Sequence, residues 1–278
     1  MTETSAAPIE SDVLEVPGAR LYYELRGSGP LIALVGAPMT AEPFAALADL
    51  LAVDHTVLTL DPRGHGRSVV ADPTQDSTPQ RRADDLARLI THLRLGPAVV
   101  LGSSGGAVTA LALVEADANL ATTVIAHEPP LLQLLDDRTE QLATTKEIIA
   151  TYDAEGPLAG GRKFMALTGM AIPEEMMRQM YAPDRTPAEL ASEKYFYHHE
   201  MPCTVDWRPD FDRLRTAPTR LLVGIGDAST GQLCDRTSRA LTGGLGLTPT
   251  RFPGGHGGFA EDPIAFHRRL REVLTSPR

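Results

Sequence analysis

Gly102-Ser103-Ser104-Gly105-Gly106 is the stretch of sequence that decides the fold. It follows an apolar, β-type run over 98–101 and precedes a helical run over 107–115. A G-x-S-x-G pattern on a strand-to-helix turn is typical of a nucleophile elbow, whose sharp bend holds the central hydroxyl above the sheet. Small residues on both sides let the strand and the helix pack closely around the bend. We therefore predict that Ser104 is a nucleophile. The adjacent Ser103 is assigned to packing and is also kept as a candidate residue of the substrate pocket.

Seven short apolar runs predict strands that alternate with helical segments along the chain. They cover residues 21–25, 31–35, 56–60, 98–101, 122–126, 220–225 and 248–252. Between two of them, Leu86, Leu89, Ile90 and Leu93 recur with the spacing of one face of an amphipathic helix. Strands that alternate with helices need crossover connections. The sequence therefore predicts an α/β fold with a mostly parallel central sheet flanked by helices.

The segment 130–215 interrupts this alternation, because its patterns are helical and it contains no clear strand. An insert between two strands of a parallel sheet lies over the strand ends, where α/β folds bind ligands. We predict a helical cap over 130–215 and an α/β core over 11–129 and 216–278. Residues 1–10 are small, polar and acidic and lack the pattern of a signal peptide, so a disordered tail is expected there.

The composition limits the classes of partner. The chain has 278 residues, of which 42% are hydrophobic, and a formal net charge of −10. This charge disfavours nucleic acid and anionic membrane surfaces as partners, and no apolar run is long enough to span a bilayer. Two cysteines, Cys203 and Cys234, are most simply free thiols in a reducing compartment. We expect a cytoplasmic protein that acts on a small molecule. Monomer and homodimer both remain open.

A serine hydroxyl needs an adjacent base to act as a nucleophile, and His256 is the candidate. It lies in the glycine-rich segment 253–258, between the last predicted strand and the last helix. A histidine among glycines is poorly placed for packing but well placed to reach another loop. The base in turn needs a carboxylate that holds its tautomer and stabilises the imidazolium. Asp227 is predicted for this role, because it ends a strand and completes the order Ser, acid, His. Glu128, which follows the preceding strand, is the alternative acid.

Two backbone N–H groups are predicted to form an oxyanion hole, the site that stabilises a developing negative charge. One belongs to Gly105, directly after the nucleophile, and the other to the loop after Val35. Pro38 has no N–H, so Ala37 is the predicted donor of that loop.

Four further residues are candidates for lining the substrate pocket. Met39 follows the predicted oxyanion loop, and His127 follows the strand after the elbow. Tyr195 and His199 belong to an aromatic run in the predicted cap, which is able to recognise a ring. The alternative for this run is a helix whose faces alternate between core and solvent.

These segments together resemble the α/β-hydrolase superfamily, and the resemblance covers nearly the whole chain after the tail. It is carried by residues 102–106, 61–68, 218–227 and 254–259, in that family's arrangement. Within the superfamily the chain is similar to capped esterases, lactonases, carbon–carbon bond hydrolases and haloperoxidase-like perhydrolases. Many relatives carry His-Gly before the oxyanion residue, where this chain has Val35-Gly36. The elbow lacks the nucleophilic aspartate of dehalogenase and epoxide hydrolase relatives.

The resemblance implies an α/β-hydrolase fold whose cap precedes the strand that carries the acid. It also implies a serine hydrolase, without metal or cofactor, that cleaves an ester, thioester or lactone of a small, mostly apolar molecule. A carbon–carbon bond hydrolase or a cofactor-free perhydrolase would use the same triad. A ligand receptor with slow or no turnover is the expectation from another class of protein.

Overall fold

Nine strands form one sheet in this computed structural model, which describes residues 8–276. They are β1 (Ile9–Val16), β2 (Ala19–Arg26), β3 (Leu31–Val35), β4 (Thr56–Leu60), β5 (Val69–Val70), β6 (Ala98–Ser103), β7 (Ala121–His127), β8 (Arg220–Gly226) and β9 (Thr250–Phe252). Their order across the sheet is β1-β2-β4-β3-β6-β7-β8-β9, with β5 paired to β2. The pairings from β4 through β9 are parallel, whereas β1, β2 and β5 pair antiparallel. The predicted, mostly parallel sheet is therefore confirmed.

All seven predicted strands are present, but two strands were missed. Strand β1 forms the edge of the sheet, and its residues are largely exposed, so it lacks the apolar run of a buried strand. Ile9 and Glu10 belong to this strand and not to the predicted disordered tail. The remaining tail residues, 1–7, lie outside the described residues. Strand β5 has only two residues, which is too short for a periodicity to be recognised.

Twelve α-helices lie within residues 8–276. In chain order they are α1 (Ala45–Leu51), α2 (Pro79–Leu93), α3 (Gly105–Asp117), α4 (Arg138–Glu155), α5 (Pro157–Thr168), α6 (Glu174–Met180), α7 (Pro187–Tyr195), α8 (Met201–Val205), α9 (Phe211–Thr216), α10 (Leu233–Leu245), α11 (Gly258–Glu261) and α12 (Pro263–Thr275). The segment between β7 and β8 contains α4 to α9 and a π-helical turn, Phe196–Glu200, but no strand. None of the helices in the described part of the chain is long and apolar enough to cross a membrane.

Apolar residues from the helices pack on both faces of the sheet. One cluster combines Leu86 of α2 and Leu111 of α3 with the strands, and a second combines Leu47 of α1 with Phe266 of α12. A third cluster joins the helices between β7 and β8 to α10. Because the strands that carry the elbow are covered on both faces, their ends are held rigidly at one edge of the sheet.

Candidate active site

Ser104 occupies the turn between β6 and α3, with φ 57° and ψ −125°. A non-glycine residue with these φ and ψ angles carries backbone strain on the order of 1–3 kcal/mol, so the surrounding structure must hold it there. The N–H of Ser104 donates to the carbonyl oxygen of His127 on the neighbouring strand, at 2.9 Å. The turn therefore has the strained geometry of a nucleophile elbow, and its serine opens onto a cavity.

Gly105 brings the elbow against the loop after β3. A Cβ at Gly105 would lie 2.5 Å from the carbonyl oxygen of Ala37, so only glycine fits this approach. As the first residue of α3, Gly105 has an N–H without an acceptor inside the helix. Both residues line the same cavity as Ser104. The structure thus brings together the two residues from which the sequence predicts an oxyanion hole.

His256 is bound to Glu128, at a distance of 2.6 Å between Nδ1 and Oε2. The second carboxylate oxygen of Glu128 accepts a hydrogen bond from the N–H of Gly226, at 2.8 Å. Glu128 is completely buried, and the side chain of His256 is 18% exposed. With Nδ1 occupied by the carboxylate, the Nε2 atom is the one left to act on a hydroxyl.

The prediction of Asp227 as the acid is wrong in this structure. Asp227 is exposed and begins the short turn Asp227–Ser229, which packs against the His256 loop through the N–H of Ala228, a donor to the carbonyl oxygen of Gly254 at 2.9 Å. The alternative acid, Glu128, occupies the position beside the imidazole instead. Strands β7 and β8 are parallel neighbours, so their carboxyl ends meet at one edge of the sheet. A residue that follows either strand therefore starts within reach of His256. The carboxylate of Glu128 extends across the end of β8 to Gly226 and fills the place expected for Asp227.

The charges at this pair favour the roles of acid and base. Burial raises the pKa of Glu128, but the hydrogen bond and charge of His256 lower it more, to about 2. Burial lowers the pKa of His256, whereas the neighbouring Cys234 thiol and Glu128 carboxylate raise it, and the net direction is upward. Glu128 is therefore an anion over the physiological range, and it stabilises the imidazolium that a proton transfer produces.

A cavity of about 560 Å³ adjoins Ser104 and His256. Most of its lining residues are apolar and come from the helices between β7 and β8, with α10 closing one side. Among them are Phe164, Met165, Leu167, Met170, Ile172, Met180, Phe196, Met201, Val205 and Leu233. None of the described residues that line it is lysine or arginine. An uncharged, largely apolar molecule fits this environment.

Two predicted pocket residues, Ser103 and His127, lie behind the elbow. Both are fully buried, and the Oγ of Ser103 is 3.2 Å from Nδ1 of His127. His127 also packs edge-on against Phe252 and Phe266, and burial lowers its pKa to about 4, so its ring is neutral. Neither residue lines the cavity. They support the elbow, and their prediction as substrate-binding residues is wrong here.

Tyr195 and His199 also lie away from the cavity, contrary to the prediction. The hydroxyl of Tyr195 donates to the carbonyl oxygen of Gln75 at 2.9 Å. Nδ1 of His199 lies 3.0 Å from Asp76, and its carbonyl oxygen accepts from Ser77. These contacts fasten the inserted helices to the loop before α2.

Met39, by contrast, does line the cavity, beside Ala37 and Pro38. Two polar features of the cavity wall were not predicted from the sequence. His65 is bound to Ser192 through Nδ1 at 2.8 Å and to Glu200 through Nε2 at 3.0 Å. Cys234, the second residue of α10, lies beside His256. No motif singled out either contact, because each joins segments far apart in sequence.

A model of the alpha/beta hydrolase family matches residues 31–269. The chain therefore belongs to the α/β-hydrolase family, and the protein is a hydrolase of this fold. It is 32% identical to an uncharacterized hydrolase, YraK, of Bacillus subtilis (strain 168), over 97% of this chain and 98% of that one. It is 27% identical to a zearalenone hydrolase of Cladophialophora bantiana, over 72% of this chain and 78% of that one.

The fold is also similar to that of a thermophilic esterase from Thermogutta terrifontis. The two structures give a TM-score of 0.72, with 23% sequence identity over 95% of this chain and 98% of the esterase. This likeness concerns the fold.

Proposed function

We propose that the protein is a serine hydrolase that cleaves an ester, thioester or lactone of an uncharged, mostly apolar molecule. Ser104 is the nucleophile, His256 the general base and Glu128 the acid. The observation that carries the proposal is the bond between His256 and the buried Glu128 beside a strained serine turn, at the mouth of an apolar cavity. A pure ligand receptor has no need of a buried carboxylate–imidazole pair next to such a serine.

In the proposed mechanism, His256 takes the proton of the Ser104 hydroxyl as its oxygen attacks the substrate carbonyl. The N–H groups of Ala37 and Gly105 then donate to the oxyanion of the tetrahedral intermediate. The imidazolium gives its proton to the leaving group, which departs and leaves an acyl-enzyme on Ser104. A water molecule, deprotonated by the same imidazole, cleaves the acyl-enzyme and regenerates the serine.

The charge of the cavity supports an uncharged substrate. Glu189, Glu193 and Glu200 line it, and no described lining residue is a fixed cation. Arg185 binds Glu193 from outside the cavity, and His65 binds Glu200, so these carboxylates are held in place. A substrate carboxylate or phosphate would find no lysine or arginine among the described lining residues, so the loss of its hydration in the apolar cavity would be uncompensated.

The test is the hydrolysis of p-nitrophenyl butyrate by wild-type protein, Ser104→Ala and Ser103→Ala. Ser103 is a matched control because it is adjacent in sequence but buried outside the cavity. We expect Ser104→Ala to lose about 10³-fold or more in kcat, and the folded Ser103→Ala protein to remain active. A fluorophosphonate should label Ser104 in the wild-type protein, as located by peptide mass spectrometry.

Undiminished turnover in Ser104→Ala would remove this serine from the mechanism. Product analysis separates hydrolysis from the other reactions that one triad can support. Carbon–carbon cleavage of a diketone at a rate above that of ester hydrolysis would contradict the proposed reaction. Peracid formation in the presence of peroxide at such a rate would contradict it as well.

A further inference from the structure

Cys234 forms a cluster with the two residues of the proposed acid–base pair. One ligand atom each from Glu128, Cys234 and His256 lies within 4.8 Å of the other two. The three residues come from separate segments: the end of β7, the first turn of α10 and the loop after β9. Hydrolysis through Ser104 requires no thiol, so the proposed mechanism does not account for Cys234 at this position.

We propose that Glu128, Cys234 and His256 form a binding site for a divalent transition-metal ion of the zinc type, and that the bound ion blocks hydrolysis. A thiolate, an imidazole and a carboxylate are the protein ligands that Zn²⁺ prefers. Hard cations such as Mg²⁺ and Ca²⁺ prefer sites made of oxygen atoms, so this site should discriminate against them.

The spacing of the ligand atoms suits such an ion. Tetrahedral zinc with ordinary bonds to nitrogen, oxygen and sulfur separates its ligand atoms by about 3.3–3.6 Å. The upper limit of 4.8 Å in the cluster exceeds this by little more than 1 Å. Small rotations of the side chains close that gap. The 2.6 Å contact between Nδ1 of His256 and Oε2 of Glu128 is shorter than this separation, so an ion that used these two atoms would replace their hydrogen bond and part them by about 0.7 Å or more. His256 lies between Gly255 and Gly257, so its two neighbours in the chain have no side chains that would block a rotation of the imidazole.

The charges also balance. The carboxylate of Glu128 and the thiolate of Cys234 together neutralise a divalent cation, so the occupied site carries no net charge in a buried location. Cys234 lies in the first turn of α10, a helix of 13 residues, which fixes the position of its side chain beside His256. Both Cys234 and His256 line the cavity, so an ion can reach the site from there.

Occupancy and catalysis exclude each other because they use the same atoms. An ion bound to Glu128 and His256 takes both groups away from proton transfer at Ser104. The ion would act as an inhibitor whose site lies inside the proposed active site. The metal site depends only on these three side chains, so it can be tested even if the proposed ester hydrolysis fails.

The experiment is a titration of freshly reduced full-length protein with Co²⁺, followed by the thiolate-to-cobalt charge-transfer absorption. Wild-type protein should bind one ion per chain with this absorption, and Zn²⁺ but not Mg²⁺ should displace it. The absorption should vanish in Cys234→Ser, a nearly isosteric change. It should persist in Cys203→Ala, the matched control, since Cys203 does not line the cavity. Glu128→Gln should bind Co²⁺ about tenfold or more weakly, since the loss of a ligand should cost at least as much as the loss of a group that only supports one.

The inhibition of hydrolysis is measured separately from the binding of the ion. In the p-nitrophenyl butyrate assay, Zn²⁺ should inhibit wild-type protein and Cys203→Ala. The Zn²⁺ concentration that halves the rate should be about tenfold or more higher for Cys234→Ser, with each rate expressed relative to that variant's rate without Zn²⁺. Circular dichroism checks that each variant is folded. Absence of the cobalt absorption in wild-type protein, its survival in Cys234→Ser, or its loss in Cys203→Ala would overturn the proposal. A protein that hydrolyses no ester but shows the expected cobalt spectrum would contradict the proposed function and support the metal site.

Discussion

Replacing Glu128 by glutamine tests the acid that the structure places beside His256. The carboxylate accepts two hydrogen bonds, from Nδ1–H of His256 and from the N–H of Gly226. Glutamine offers one oxygen and one NH₂ group to these two donors. If its oxygen keeps Gly226, its NH₂ faces Nδ1 and favours the tautomer with the proton on Nε2, which cannot accept a proton from Ser104. If its oxygen turns to His256, the buried N–H of Gly226 loses its acceptor.

The first arrangement resembles the loss of the acid in a serine-protease triad, where the wrong tautomer lowers kcat by about 10⁴-fold. The second costs about 1–3 kcal/mol of stability, because a buried donor is left unpaired. We therefore expect Glu128→Gln to reduce kcat for p-nitrophenyl butyrate by roughly 10³–10⁴-fold, with little change in KM, and to lower Tm.

The matched control is Asp227→Asn. Asp227 is exposed, so this change should leave kcat within about twofold of wild type, as is usual for surface substitutions. The reasoning is refuted if Asp227→Asn loses activity by three orders of magnitude while Glu128→Gln stays within tenfold of wild type. In that case the imidazole would be oriented by Asp227 during turnover.

Three further predictions follow from the same geometry. Gly105→Ala should lower kcat by about 10²-fold or more in steady-state assays, because a Cβ there collides with Ala37 and displaces an oxyanion donor. A p-nitrophenyl ester with a terminal carboxylate should show a kcat/KM about tenfold or more below that of the butyrate, and equal values would contradict an anion-excluding cavity. His127 has a folded pKa of about 4, below its value of 6.5 when unfolded, so its contribution to stability is complete above pH 6.5 and falls towards pH 4. Thermal melts of His127→Phe should lack this loss, which amounts to about 3 kcal/mol in wild type.

The central sheet and the elbow could be predicted from local patterns because both depend on local physics. Strands β3 and β4 are buried at every position and mostly apolar, and the glycines of the elbow are required by close backbone contacts. Strand β1 escaped prediction because an exposed edge strand is not constrained by burial on both faces. Its polar sequence carries no comparable signal.

The choice between Glu128 and Asp227 depended on turn geometry, which the sequence pattern does not encode. Both residues end parallel, neighbouring strands. Glu128 has φ 53°, and its N–H donates to the carbonyl oxygen of Gly224, so its backbone turns towards β8. The longer side chain of glutamate then spans the distance to Gly226 and His256. An aspartate in the expected place is therefore weaker evidence for the acid than the order of residues suggests.

The inserted helices show why the pocket residues were harder to predict than the elbow. Tyr195 and His199 are four residues apart, so a helical pattern places them on one face without saying what that face meets. In the structure this face meets residues 75–77 of the loop before α2. The cavity is instead lined from the same stretch by Phe196 and Glu200. The contact that decides the orientation of the helix joins residues more than a hundred positions apart. Which residues of the insert line the cavity therefore depends on how the insert is fastened to the core.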